Sequence, residues 1–355
     1  MPKRRPFLAL LAGALSTSFL LAGCLGNPPS RTSRYAATST PINAQAASKL
    51  ETKTISLGYA PILESAPLVI GVEKGFFAKR NLELNVIYAS GSDIMRNVAA
   101  GNVDFGFPNG DSVIAAKANG LPVKVIHTTY QRGIGALLTK ADGKIKTYAD
   151  LKGKTVAVTA LGSPNYLQLQ AGLKKAGLRI EDVKVEVVAT GAIVQSLQAG
   201  QVDAIVFSEL RKYNLEADKF PTHIILSNDF LPSFGNVVVT SDRLLASKGA
   251  VARAFVDAID ESFAWVIGGN VDEALKIAIG KYAPTWAGQE AILSRAFTET
   301  FIASVWQSPA TKANGLGAAD LPAWQGAIDA MAEAKLIDKG FKAEDLVVQP
   351  KSIRG

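Results

Sequence analysis

The chain has 355 residues, of which 48% are hydrophobic and 19% charged, with a formal net charge of +7. This is enough apolar material for two lobes, and it excludes disorder over most of the length. Lys and Arg are scattered, and no segment interleaves basic with aromatic residues, which excludes nucleic acid as a partner.

Lys3-Arg4-Arg5 precede an apolar run, Phe7 to Leu21, too short for a membrane span and typical of a secretory leader. The leader closes on Leu21-Ala22-Gly23-Cys24, which resembles the lipobox of bacterial lipoproteins. The resemblance implies that residues 1–23 are a signal peptide and that Cys24 becomes an acylated N-terminus. Cys24 is the only cysteine, so no internal disulfide or multi-cysteine metal site can form. Residues 24–53 shift to Asn, Pro, Ser, Thr, Ala and Gln, the composition of a flexible tether to the membrane.

In chain order, Thr54 to Tyr59 reads as a strand, and Pro67 suits the start of a helix over 68–79. A strand over Leu82 to Ala89, a helix opened by Gly91-Ser92-Asp93 and a strand over Val103 to Phe107 follow. A short helix after Asn109-Gly110-Asp111 leads to strands at Val123 to Tyr130 and Gly135 to Lys140. Strands alternating with helices imply a parallel sheet with right-handed crossovers.

A change of unit is expected near Ala141 to Lys144. Beyond it Lys154 to Thr159 reads as a strand, Gly162-Ser163-Pro164 as turn, N-cap and first helical position, and Gly177 as a left-handed cap. Strands follow at 183–188, 202–207 and 222–226, and Thr190-Gly191 is expected to open a further helix. Phe230 to Phe234 reads as the return, Asn236 to Ser241 as the strand leading back, and residues 242–337 as almost wholly helical. One unit occurs twice: MRNVAAGNVDFGF (Met95 to Phe107) matches VQSLQAGQVDAIVF (Val194 to Phe207). The copies lie about one small domain apart.

The segments GYAPILESAPLVIGVEKGFFAKRNLEL, GSDIMRNVAAGNVDFGF, DLKGKTVAV with GSPNYLQLQAGLKKAGL, and LQAGQVDAIV, in that order behind the leader, resemble the substrate-binding proteins of ABC importers. The group includes nitrate, sulfonate, taurine and thiamine-precursor receptors. The resemblance implies an α/β fold of the periplasmic-binding-protein clamshell (type II) with a helical C-terminal wrap. Lobe 1 is expected over 54–142 and 233–355, and lobe 2 over 143–232. It further implies an ABC permease and ATPase as partners and a lipid-anchored location in the cell envelope.

Catalytic chemistry is not indicated. His127 and His223 sit singly in predicted strands, Gly153-Lys154-Thr155 lacks the earlier glycine of a P-loop, and no Gly-x-Ser-x-Gly elbow occurs. No metal or cofactor is expected, and the protein reads as a receptor, not an enzyme. Pyrimidine-forming relatives of the thiamine-precursor receptors would need cysteine and histidine chemistry this chain lacks.

The ligand cleft is expected where loops leave the carboxyl ends of strands: Tyr59, Glu64, Ser65, Ser92, Asn109, Asp111, Thr129, Gln131, Ser163, Thr190, Ser208 and Glu209. Helix N-termini there favour an organic anion such as a sulfonate, with Arg132 adding charge. Tyr59, Tyr130 and Tyr166 support the alternative of a neutral heteroaromatic, a pyrimidine or flavin. A ligand-sensing lipoprotein without a transport role is the remaining alternative.

Overall fold

The computed structural model describes residues 51–58, 65–89 and 91–353, all within one unit, Ser48–Gly355. The leader, Cys24 and most of the tether lie outside them. Two five-stranded mixed sheets form the framework. The first has the order β2-β1-β3-β10-β4, built from β1 (Glu51–Gly58), β2 (Leu82–Ala89), β3 (Phe105–Gly106), β4 (Val123–His127) and β10 (Val238–Ser241). The second has the order β7-β6-β8-β5-β9, from β5 (Gly135–Lys140), β6 (Thr155–Val158), β7 (Lys184–Val187), β8 (Ala204–Ser208) and β9 (Thr222–Leu226). In each sheet the one antiparallel strand, β10 or β5, is the one that arrives from the other sheet.

The helices that follow the strands are α1 (Ala66–Glu73), α2 (Gly91–Ala100) and α3 (Gly110–Ala118) on the first sheet. On the second they are α4 (Pro164–Lys175), α5 (Ile193–Gln198) and α6 (Arg211–Ala217). The repeat seen in sequence has a structural meaning. Gly101 and Gly200 both adopt positive φ, +75° and +67°, and end α2 and α5. The Val-Asp that follows opens the next strand in the same way in both sheets. Asp104 N donates to Thr54 O at 2.9 Å while its carboxylate accepts from Thr54 N at 2.8 Å. Asp203 does the same to Thr155 at 2.9 and 2.8 Å. The aspartate clamps each incoming strand to the first parallel strand of its sheet.

Period-two alternation sorts each sheet onto two cores. Ile55, Phe105, Ile126 and Val238 face a core with α1, α8 (Gly249–Ile267) and α9 (Val271–Lys281), whereas Val123, Val125, Val237 and Val239 face α2, α3 and α12 (Leu321–Glu333). In the second sheet Leu137, Val156, Val158 and Val206 face α4, and Ala136, Leu138, Ala157 and Ile205 face α5 and α6. A C-terminal run, α7 (Asp242–Ser247) to α12, wraps the first lobe and includes α10 (Glu290–Arg295), a π-helix over Ala296–Val305 and α11 (Pro309–Asn314).

Three expectations need correction. The strand Gly135–Lys140 was assigned to lobe 1 by a boundary at 142/143, but it lies inside the second sheet between β8 and β9. The four-residue spacing expected between 123–130 and 135–140 looks like a hairpin, yet here the chain changes sheets, so the first crossing falls at residues 128–134. Strand β1 begins at Glu51, inside the stretch read as tether, and the Lys53 side chain is buried there. The helix expected over 68–79 stops at Glu73, because Gly75 takes a positive φ of 73° and a turn of 3-10 helix follows.

Candidate ligand cleft and hinge

Both lobes present the carboxyl ends of their parallel strands and the amino ends of the following helices, the place where open α/β sheets hold ligands. The two crossings between lobes run side by side as a short ribbon. Tyr130 N donates to Asn236 O at 3.0 Å, Gly133 N to Ser233 O at 2.8 Å and Gly235 N to Arg132 O at 3.2 Å. Asn228 Oδ1 adds bonds from Gly133 N at 3.3 Å and Ser233 N at 3.1 Å. The ring of Tyr130 is fully buried against Phe107 and Phe301, and it leaves no room for a Cβ at Gly235. It is therefore a core residue and cannot stack on a ligand.

The expected site residues fall into two groups. At the hinge end, Thr129 is buried, its hydroxyl 2.7 Å from His127 Nδ1, while His127 Nε2 lies 2.9 Å from Asp260. Gln131 donates to Ala318 O at 3.2 Å and accepts from the Ser308 hydroxyl at 2.7 Å. Glu209 is buried with Arg132 at 2.6 Å and Lys212 at 4.0 Å, and Arg132 also donates to Gly133 O and to the Ser304 hydroxyl, each at 2.9 Å. The buried Ser208 hydroxyl accepts from Leu210 N. Asp111, in the first turn of α3, accepts from Gln168 of α4 across the lobe boundary at 3.3 Å. Burial pushes its carboxyl up to about 6, against the opposing influence of the Gln168 amide and the nearby Ser233 hydroxyl. Gln168 and Ser233 were not expected at the site. A polar residue one turn into the helix, beside apolar Leu169, was the available signal.

Toward the rim, Ser163 caps α4 by accepting from Tyr166 N and spends its own proton on Ala160 O at 2.7 Å. Asn109 is the N-cap of α3 without a side-chain cap bond, and Ser65 is the buried N-cap residue of α1. Ser92 is exposed within the first turn of α2. Thr190 is exposed and does not open the third helix: α5 starts at Ile193, has Ala192 as its N-cap and runs only six residues. Leu161 projects from the β6–α4 turn with 57% of its surface exposed, and Tyr166 is half-buried beside it. Tyr59 and Glu64 lie outside the described residues.

A cavity of about 530 Å³ opens beside the first crossing, between Gln131 and Arg132 on one side and Ser304, Gln307, Ser308 and Lys312 on the other. Its Gln131, Ser304 and Ser308 side chains are already hydrogen-bonded to protein. Among the described residues no cluster of His, Cys, Asp and Glu could hold a metal ion, and no helix is long and apolar enough to cross a membrane.

Residues 63–270 match the family described as NMT1/THI5 like. The chain belongs to that family. It is 25% identical, over 93% of both chains, to the riboflavin-binding protein RibY of Chloroflexus aurantiacus. A shorter match, 46% identical over 30% of this chain but only 24% of the relative, is to the bicarbonate-binding protein CmpA of Synechococcus elongatus. Among solved structures, the periplasmic aliphatic sulphonate binding protein SsuA of Escherichia coli superposes with a TM-score of 0.63, at 18% identity over 86% of this chain and 94% of that one. That likeness establishes the fold: two lobes of the periplasmic-binding-protein type, with helical C-terminal elements wrapped on the first.

Proposed function

We propose that this protein is the solute-binding component of an ABC importer, which captures a small molecule between its lobes and presents it to a membrane permease. Family membership and the paired, facing strand ends support this. The apolar leader ending at Cys24 supports export and lipid anchoring in the envelope. Closure would turn on the ribbon of residues 128–134 and 228–236, with the ligand shifting the balance toward the closed form.

For the ligand we infer a flat, largely neutral heteroaromatic of the flavin type in place of the expected organic anion. One observation carries this. The loops at the carboxyl ends of the strands, 59–65, 89–93, 107–111, 128–132, 159–163, 188–192 and 208–212, contribute three Lys or Arg residues, Arg132, Arg211 and Lys212. Arg132 and Lys212 both lie against buried Glu209, at 2.6 and 4.0 Å, and Arg211 lies over the Phe207 ring. Two of these cations are thus committed to an internal carboxylate, which weakens the electrostatic case for an anion. The helix termini offer less than expected, since the Ser163 hydroxyl is spent on Ala160 and α5 is short. Exposed Leu161 and half-buried Tyr166 provide apolar and aromatic surface instead. The full-length likeness to a riboflavin-binding protein agrees with this chemistry.

Thermal unfolding with riboflavin, a hydroxymethylpyrimidine, taurine, an alkanesulfonate and nitrate tests both parts, because a ligand stabilises the form that binds it. A flavin or pyrimidine is expected to raise the midpoint and, for riboflavin, to lose fluorescence on binding. Stabilisation by a sulfonate alone would restore the anion and leave the receptor standing. Silence from a wide panel of solutes, with unchanged scattering profiles, would count against the receptor.

A further inference from the structure

Two buried oxygens at the lobe boundary have no partner: Asp111 Oδ1 and Gln168 Oε1. They belong to side chains already in contact, for Gln168 Nε2 donates to the other Asp111 oxygen at 3.3 Å. Asp111 is 1% exposed and Gln168 4%. The carboxamide lies directly over Gly135, where an added Cβ would collide with it. With Asp111 ionised, both orphaned atoms are acceptors; the Ser233 hydroxyl is near enough to lower the Asp111 pKa but makes no hydrogen bond to Oδ1, and buried acceptors left so are an arrangement folded proteins avoid.

A single proton satisfies both atoms. Placed on Asp111 Oδ1, it donates to Gln168 Oε1 while Gln168 Nε2 continues to donate to Oδ2, closing a ring of two hydrogen bonds between acid and amide. We propose that Asp111 is a neutral acid in this structure and that its cyclic pairing with Gln168 is a latch joining the two lobes, made with uptake of one proton from solvent. The pairing rests on the Nε2–Oδ2 contact and the two orphaned atoms beside it; its bearing on capture rests on the closing motion proposed above.

The surroundings favour the neutral form. Burial is the leading influence on Asp111, and only the Gln168 amide and Ser233 hydroxyl oppose it. Charged groups of the elements packed around it, Asp93 and Arg96 of α2, Lys117 of α3, Lys124 and His127 of β4, Arg132 of the first crossing, Lys174 and Lys175 of α4 and Asp229 of the second, do not figure among those influences. The amino end of α3 favours a negative charge at Asp111, and burial outweighs it. The native chain thus holds a proton that an exposed aspartate gives up at about pH 4. Stability from the latch is complete below that pH and is lost as pH rises through about 6.

The test uses the ligand-free full chain, so its outcome does not depend on whether a solute is captured. Thermal midpoints are measured at about pH 7.5 and about pH 5.5 for the wild type, Asp111→Asn and Asp111→Ala. Asparagine carries an N–H where the neutral acid carries its O–H and keeps the ring without a titrating group. On acidification the wild type is expected to gain about 2 °C relative to Asp111→Asn, because the difference between the two cancels every other titration. Asp111→Asn should equal or exceed the wild type at the higher pH, with Asp111→Ala below both. A difference between wild type and Asp111→Asn that does not change with pH, or an asparagine variant as weak as the alanine one at both, overturns the proposal.

Discussion

The two lobes share one plan and differ in what covers them. Strand order, the single antiparallel strand and the aspartate clamp at Asp104 and Asp203 are the same in both. The first lobe, however, lies under helices α8, α9 and α12, whereas the second has only its own α4, α5 and α6. The C-terminal run also grips the second lobe on two flanks. On one, Tyr213 meets Thr300 at 2.8 Å and Glu216 meets Arg295 at 3.1 Å. On the other, Lys174 donates to Glu333 O at 3.1 Å. The lesson is that the repeated unit follows from local sequence grammar, while the asymmetry comes from a distant segment that binds both copies.

The sharpest test of this comparison is core truncation in each lobe. Phe255→Ala removes a ring stacked on Phe105 at 3.8 Å and is expected to cost about 3–5 kcal/mol, and Leu169→Ala in the second lobe about 2–4 kcal/mol. If the wrap binds the lobes into one cooperative unit, each variant lowers a single calorimetric transition; two separated transitions would break that view. Next in size, Arg132→Ala leaves the buried Glu209 carboxylate with only the more distant Lys212 and should cost about 2–3 kcal/mol in chemical denaturation. The preference for a neutral ligand over a sulfonate should persist in that variant.

Asp104→Ala and Asp203→Ala are expected to lose about 1–2 kcal/mol each, since both remove a carboxylate that pins a strand amide. Denaturant midpoints that differ widely between the two would show that the clamp is not equivalent in the two lobes. Smallest is the pair Ser163→Ala and Thr190→Ala. The first loses an N-cap and about 1 kcal/mol, while the second, exposed and capping nothing, should stay within about 0.5 kcal/mol of the wild type.

Much of the framework was legible because its signals are local. Strands 82–89, 135–140 and 222–226 match expectation to the residue, each a β-branched or apolar run bounded by turn residues. The loops of the candidate site could be read from the sequence, but which of their side chains are already bonded within the protein could not. Gln131 and Arg132 look available until Ser308 and Ser304, which lie 177 and 172 residues away, are folded onto them. Pairings at that distance leave no periodic trace. The first crossing was misplaced for a related reason: whether two neighbouring strands pair with each other or with separate sheets is decided by partners elsewhere in the chain.

The discontinuity of the first lobe sets an order of assembly. Strand β10 must fit between β3 and β4, yet about a hundred residues intervene, a costly loop to close if it is unstructured. That loop is the second lobe, and its terminal strands are neighbours: Ala136 of β5 lies opposite Leu226 of β9. Once the second lobe has folded, the two ends of the long connection are already side by side, and β10 has only a few residues to travel. A chain folding from its amino end would hold the first lobe half-built until the inserted lobe had completed itself. Loop-closure entropy thus makes the lobe with the thinner cover the expected scaffold for the other.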